Sequence, residues 1–274
     1  VTSLERAERP AVWAEPAAPI RFILDSWTIA EGELRKLRHD PTELLTRAVQ
    51  PILWLLVFGQ VIGQTRAIPT GSLGYIDFLA PGILAQSALF SAIFFGIAVI
   101  WERDLGVLHK YLVSPASRSA LVTGKALAGG LRSLVQAAMV YVLALVIGVH
   151  LRLDPLSLVG VALVVVIGSA AFATFSLVIA CLVRTRERFM GIGQVLTMPL
   201  FFASSAVYPI SIMPDWLKVV AQVNPLTYQV DALRGLMVQG SVESFPLALD
   251  FAVLIASTVV LIVIAARLYP RLAQ

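Results

Sequence analysis

Residues 155–183 read PLSLVGVALVVVIGSAAFATFSLVIACLV, a run of 29 positions without one Asp, Glu, Lys or Arg. A helix on the surface of a soluble protein keeps a polar face, and this run has none. About 20 predominantly apolar residues cross a bilayer. The stretch therefore predicts a transmembrane helix, and the same test applied outward finds more. Uncharged runs cover 48–65, 78–100, 133–149, 189–214 and 251–266, the last reaching back to Pro246 if Asp250 sits at the interface. The fold class predicted is all-α integral membrane. Six transmembrane helices are expected, at roughly 48–65, 78–100, 130–149, 157–183, 189–208 and 247–267.

Composition agrees. The 274 residues are 58% hydrophobic and 14% charged, against about 45–50% and about 25% in ordinary globular chains. A core of this size cannot hide that excess, which argues against a soluble enzyme, a disulfide scaffold or a disordered chain. The lone cysteine, Cys181, allows no internal disulfide and no cysteine metal cluster. The net charge of +4 has to be mapped before it is read as attraction to nucleic acid. With the N-terminus inside, 17 basic residues fall in the inner segments and Arg66, Arg152, Lys218 and Arg234 in the outer ones. That asymmetry follows the positive-inside rule. It predicts an inner or plasma membrane protein with both termini cytoplasmic, and no nucleic-acid partner.

Residues 1–19 are expected to be a cytoplasmic tail. Glu5, Glu8 and Glu15 and three prolines leave no apolar core for a cleaved signal peptide. From Ile20, apolar positions (Phe22, Ile23, Trp27, Ile29, Ala30, Leu34, Leu37) alternate with charges at helical spacing. This predicts an amphipathic helix within 20–47, either lying in the inner interface or solvated as a lead-in. The six-helix domain then covers 48–267, and 268–274 form a cytoplasmic tail.

Fuel chemistry is absent from the sequence. Gly124-Lys125 is its one Gly-Lys pair, and residue 119 is Ser, so no GxxxxGK[ST] phosphate loop exists. His39, His109 and His150 stand apart, and the acids Asp77, Glu102, Asp154, Glu187 and Asp250 sit near span ends. Ion-driven carriers place such groups deep in their spans. Arg132 lies inside an apolar stretch, where it either snorkels or makes a polar contact within the bundle. A six-helix chain without a fuel site implies an energising partner.

Two loops are too long to be structureless. The inner one runs Trp101-Glu102-Arg103-Asp104-Leu105-Gly106-Val107-Leu108-His109-Lys110-Tyr111-Leu112-Val113-Ser114-Pro115, and a second helix starts at Arg118. Leu105, Leu108, Leu112 and Val113 form an apolar stripe that could press into a groove on a soluble partner. The outer one contains Tyr208-Pro209, Pro214-Asp215-Trp216-Leu217, Asn224-Pro225-Leu226-Thr227-Tyr228 and Asp231-Ala232-Leu233-Arg234. Pro214 and Pro225 can each open a short helix, with Asn224 as the cap of the second. Asp231 and Arg234 read either as an exposed i,i+3 pair or as a gate contact. Trp216 and Tyr228 read as membrane-interface anchors.

Both loops resemble those of ABC-2 type exporter permeases, the membrane subunits of daunorubicin-type drug exporters and of polysaccharide and nodulation-factor exporters. The inner loop is similar to that family's "ERxxGTLxxLLVxPxSRxxxxxGK" region, with Val107 replacing a frequent Thr or Ser. The resemblance implies a cytoplasmic coupling helix that docks on an ATPase, carried by Glu102, Arg103, Gly106, Leu108, Leu112, Pro115 and Arg118. It implies short re-entrant outer helices between the fifth and sixth spans, with Pro209, Pro214, Trp216, Asn224, Pro225, Tyr228, Asp231 and Arg234 at a gate. It also implies two ATPase subunits carrying ATP and Mg, and a second permease chain forming a homodimer or heterodimer. Phe90, Phe94, Phe95, Met198, Phe201 and Phe202 are candidates for an apolar path between the two permeases, surrounded by membrane lipids. The expected cargo is an amphiphilic drug or lipid. A polysaccharide or glycolipid exporter is the alternative, and a self-sufficient secondary transporter or channel the rival from another class.

Overall fold

The computed structural model describes residues 18–37, 49–65, 68–71, 73–106, 116–183, 185–241 and 243–269. These residues form a bundle of helices in the order α1 Ala18–Leu37, α2 Val49–Thr65, α3 Tyr75–Asp104, α4 Arg118–Ile147, α5 Pro155–Leu182, α6 Arg186–Phe202, α7 Asp215–Val223, α8 Pro225–Met237 and α9 Leu247–Leu268. A single 3₁₀ turn, Ile210–Ile212, precedes α7. Residues 54–59 of α2 wind as a π-helix.

Four of these helices, α3, α4, α5 and α9, are long and apolar enough to cross a membrane. The six expected spans therefore reduce to four clear ones among the described residues. α2 covers the first expected span with 17 residues. α6, also 17 residues, opens on Arg186, Glu187 and Arg188 and ends at Phe202 rather than 208. The third helix also differs from expectation. A short helix from Arg118 and a span from 130 were predicted, whereas one 30-residue helix runs through both. Lys125 and Arg132 lie inside it.

Local chemistry fixes the ends. Ser117 Oγ accepts from the Ala120 amide at 3.2 Å to start α4, and Gly148, at φ 91°, stops it. Asp154 accepts from Ser157 N at 2.9 Å, and Pro155 occupies the first turn of α5. The Ser157 amide, and after it the Ser157 hydroxyl, hold the Asp154 carboxyl below the ordinary carboxylate range. Asn224 caps α8 through Leu226 N at 3.0 Å. Its Nδ2 donates to the Leu200 and Ala203 carbonyls, tying the end of α6 to the start of α8.

α3 is the central element and packs against α4, α5 and α8. α9 leans on α5 and α8 but exposes Ile255, Val259, Val260 and Val263, as a helix facing hydrocarbon does. Two close approaches depend on absent side chains. A Cβ at Gly82 of α3 would collide with the Ala206 carbonyl, and one at Gly124 of α4 would lie 2.6 Å from the Ser26 carbonyl of α1. The bundle has a basic end, holding Asp104, Arg118 and Arg186, and a cap end built by α7 and α8. At the cap end the α4–α5 turn is stitched to the end of α8. Arg152 N donates to Met237 O and Gln239 N donates to His150 O.

Candidate functional site

The basic end is organised by one buried cation. Lys125 of α4 is 1% exposed, and its Nζ donates to Glu102 Oε2 at 2.6 Å and to Glu33 Oε1 at 3.0 Å. Glu102 lies in the last turn of α3 and Glu33 in α1. One ammonium thus joins the lead-in helix to both helices that flank residues 105–117. The Lys125 Nζ also lies 5.7 Å from the centre of the Phe95 ring. Charges this far from water persist because they are paired.

A second brace crosses from α3 to α6. Asp104 accepts from Arg186 Nε at 3.0 Å and NH2 at 2.7 Å. The same guanidinium stacks 3.6 Å over the Trp101 ring. Arg103 donates to Asp104 and, at 3.4 Å, to the Val183 carbonyl. The end of α3 is thereby anchored to α4 by Glu102, to the end of α5 by Arg103 and to the start of α6 by Asp104.

The residues expected to dock a partner divide here. Glu102 faces into the bundle and is engaged by Lys125, so its side chain is not presented outward. Arg103 belongs to the brace. Gly106 follows α3 with φ 72°, a left-handed turn that takes the chain off the helix axis. Arg118 opens α4. Leu108, Leu112 and Pro115 lie outside the described residues. On α1, Ser26 and Ala30 are buried against α4, while Ile20, Ile23, Leu24 and Trp27 stand half exposed on the other side.

The cap is built around α8, whose residues 226–235 are buried on every face. Arg234 NH2 donates to the Ser205 carbonyl at 2.7 Å and lies 3.5 Å from the Phe78 carbonyl, and its guanidinium stacks 3.8 Å over the Phe78 ring. Asp231, 3.9 Å from Arg234, accepts from the Ser244 and Phe245 amides. The pair is therefore buried rather than displayed on an exposed helix, and it ties α8 to α3 and to the 243–246 connection. Tyr228 is also buried, with its hydroxyl donating to Gln222 O at 2.6 Å, whereas Trp216 is exposed. Pro209 precedes the 3₁₀ turn, Pro214 caps α7 and Pro225 begins α8. On the exposed side of α7, Lys218 donates to Asp215 at 2.9 Å and holds that carboxyl below its usual range.

Of the path candidates, Phe90 and Met198 line a cavity of about 350 Å³ between α2, α3 and α6, with Ile93, Phe189, Gln50 and Gln194. Its wall is mostly apolar and carries no charged side chain. Phe95 and Phe201 are buried in the core instead, and Phe202 is partly exposed beside Trp54. The side chain of Phe94 lies outside the described residues. Sequence reading missed Glu33, Lys125, Asp104 and Arg186. A signal existed for one of them: a lysine between Val122 and Leu127 has no polar neighbour within a helical turn except Thr123.

The stretch that holds these parts is similar to known proteins. The profile of the ABC-2 type transporter family matches residues 25–238. The ycf38 transport permease of Cyanophora paradoxa is 28% identical over 221 residues, covering 78% of this chain and 74% of that protein. The daunorubicin resistance ABC transporter permease protein DrrB1 of Streptomyces coeruleorubidus is 25% identical over 236 residues, 86% and 80% of the two chains. The doxorubicin resistance ABC transporter permease protein DrrC of Mycobacterium tuberculosis is 27% identical over 213 residues, 77% and 76%. The matched region runs from the lead-in helix α1, through the braced basic end, to the last residue of the capping segment, and on that ground the chain belongs to the ABC-2 type transporter family.

Proposed function

We propose that this membrane subunit of an ABC transporter exports an amphiphilic drug or lipid, driven by a separate ATPase that docks on residues 105–117. Two ATPase subunits carrying ATP and Mg would serve two permease chains, identical or closely related. Both termini would lie in the cytoplasm, with α2 and α6 completing a six-span topology. The observation that carries this reading is the Lys125 cluster. It fixes both flanks of the docking segment to each other and to α1, so a pull on that segment acts on α3 and α4 together. The exposed apolar side of α1 would rest in the inner interface. Glu102 then serves as a positioning residue, while Leu108 and Leu112 supply the docking surface.

The uncharged wall of the α2–α3–α6 cavity favours an amphiphile over a glycan. Drug resistance in the names of DrrB1 and DrrC supports the same choice. Phe90 and Met198 would face the cargo, and α7 and α8 would form the outer gate.

The test is Leu108→Asp. Burying a leucine side chain is worth roughly 1.5–3 kcal/mol, and about 1.4 kcal/mol is one decade in affinity. The variant should assemble in the membrane, lose more than tenfold in affinity for the ATPase on co-purification, and abolish transport in vesicles. Ser211→Asp, at an exposed position in the cap, should leave docking intact. Wild-type complex formation and transport by Leu108→Asp would overturn the assignment.

A further inference from the structure

The sequence suggested Asp250 as an interfacial acid, but in the fold it is fully buried in the first turn of α9. Neither carboxyl oxygen has a hydrogen-bond partner among the described residues. The titratable groups that act on it are Asp231 and Tyr228 from α8 and Glu243 from the α8–α9 connection. Among the described residues no compensating cation reaches it. Arg234 lies beyond Asp231, with its NH2 directed to the Ser205 and Phe78 carbonyls. α5, packed along α9, is uncharged from Pro155 to Leu182. The half of α4 nearest the cap, from Ser133 to Ile147, carries no charge, and its Tyr141 hydroxyl donates to the Arg152 carbonyl.

We propose that Asp250 is a proton-binding site of the cap: it is sealed in as the neutral acid and releases its proton when the cap opens to water. An ionised carboxylate here would have no donor and two acidic neighbours, the costliest state a buried carboxyl can adopt. The neutral acid still leaves an O–H and a carbonyl oxygen without partners, a cost well below that of a stranded charge. The α9 N-terminus favours an anion, but its amides do not reach these oxygens. The open form binds one proton fewer, so alkaline pH favours opening, by up to tenfold per pH unit for a single group. The proton release rests on the gate role proposed above for α8; the buried acid does not.

Two measurements separate these halves. The wild-type chain in nanodiscs is treated at pH 7 with N,N′-dicyclohexylcarbodiimide. This apolar reagent consumes the acid form: the carboxyl O–H adds across an N=C bond, and the O-acylisourea rearranges to a stable N-acylurea. Peptide mass spectrometry should find the adduct on Asp250, and Asp250→Asn should lack it. Labelling of other acids with none on Asp250 overturns the buried acid, whether or not the variant folds. In the second, Ser241→Cys, in the connection after α8, is labelled with maleimide with Asp250 present or replaced by Asn. The rate ratio between the two backgrounds should climb from pH 6 to pH 8, and a flat ratio overturns the release.

Discussion

Lys125 Nζ and Glu102 Oε2 lie 2.6 Å apart across 23 residues of sequence, buried at the end of the bundle where the proposed docking segment begins and ends. Glu33 completes the contact from α1. Removing one partner from such a cluster leaves charges stranded, at about 3–5 kcal/mol. Lys125→Met should therefore lower the thermal unfolding midpoint in detergent strongly. Adding Glu102→Gln should recover part of the loss, a non-additivity that a double-mutant cycle reads directly. Independent, additive effects would show that the two side chains do not act as a unit.

Arg234→Lys keeps the charge but loses the planar fork that stacks on Phe78 while reaching the Ser205 carbonyl. Leaving a buried acceptor unpaired costs about 1–3 kcal/mol. The variant should be destabilised by that order in chemical denaturation, and Arg234→Ala by more, because it also strands Asp231. A lysine variant as stable as wild type would reduce the contact to simple charge balance.

Glycine substitutions should split by position. Gly82→Ala drives a methyl into the Ala206 backbone carbonyl, which cannot swing aside as a side chain would. Overpacking of this kind costs typically about 1–3 kcal/mol. Gly191→Ala, in α6 with open space around its Cβ position, should be neutral or stabilising by up to about 1 kcal/mol. Fluorescence-detected size-exclusion thermostability distinguishes them, and the reverse order would contradict the packing described.

Asp154 offers a pH test. Its carboxylate caps α5, and its titration is displaced below the ordinary range. A depressed folded value means stability that is complete above the ordinary carboxylate range and lost as pH falls through the folded value. Asp154→Ala should therefore be less stable than wild type at pH 7. The gap should close under acid conditions below the usual carboxylate range, and a gap constant with pH would exclude the cap as its cause.

The apolar runs were legible because lipid exposure leaves a long, uncharged signature, clearest in Pro155–Leu182 and weakest where α6 begins with three charges. The turn chemistry around Pro214, Asn224 and Pro225 was equally local, and the helices start where those residues place them. Partnerships were not legible. Lys125 counts in sequence as one more basic residue of an inner segment, because its partners are 23 and 92 residues away. Asp231 and Arg234 look like a solvated i,i+3 pair because nothing local announces that α8 is surrounded by α3, α5 and α9. Asp250 looks interfacial for the same reason. Burial of a polar group is a tertiary property.

α3 carries Glu102 at one end and Phe78 at the other, and its 30 residues span about 45 Å. The first is tied to the α1–α4 cluster, and the second lies under the Arg234 guanidinium of the cap. The contact of Gly82 with Ala206 is backbone against backbone, with no flexible side chain to absorb slack. This helix therefore has the form of a connecting rod between the Lys125 cluster and the cap. Its joint is Pro81, which lacks the amide that would close the preceding turn. Mutations that straighten or stiffen the rod at that joint would change the timing between its two ends while leaving each end intact.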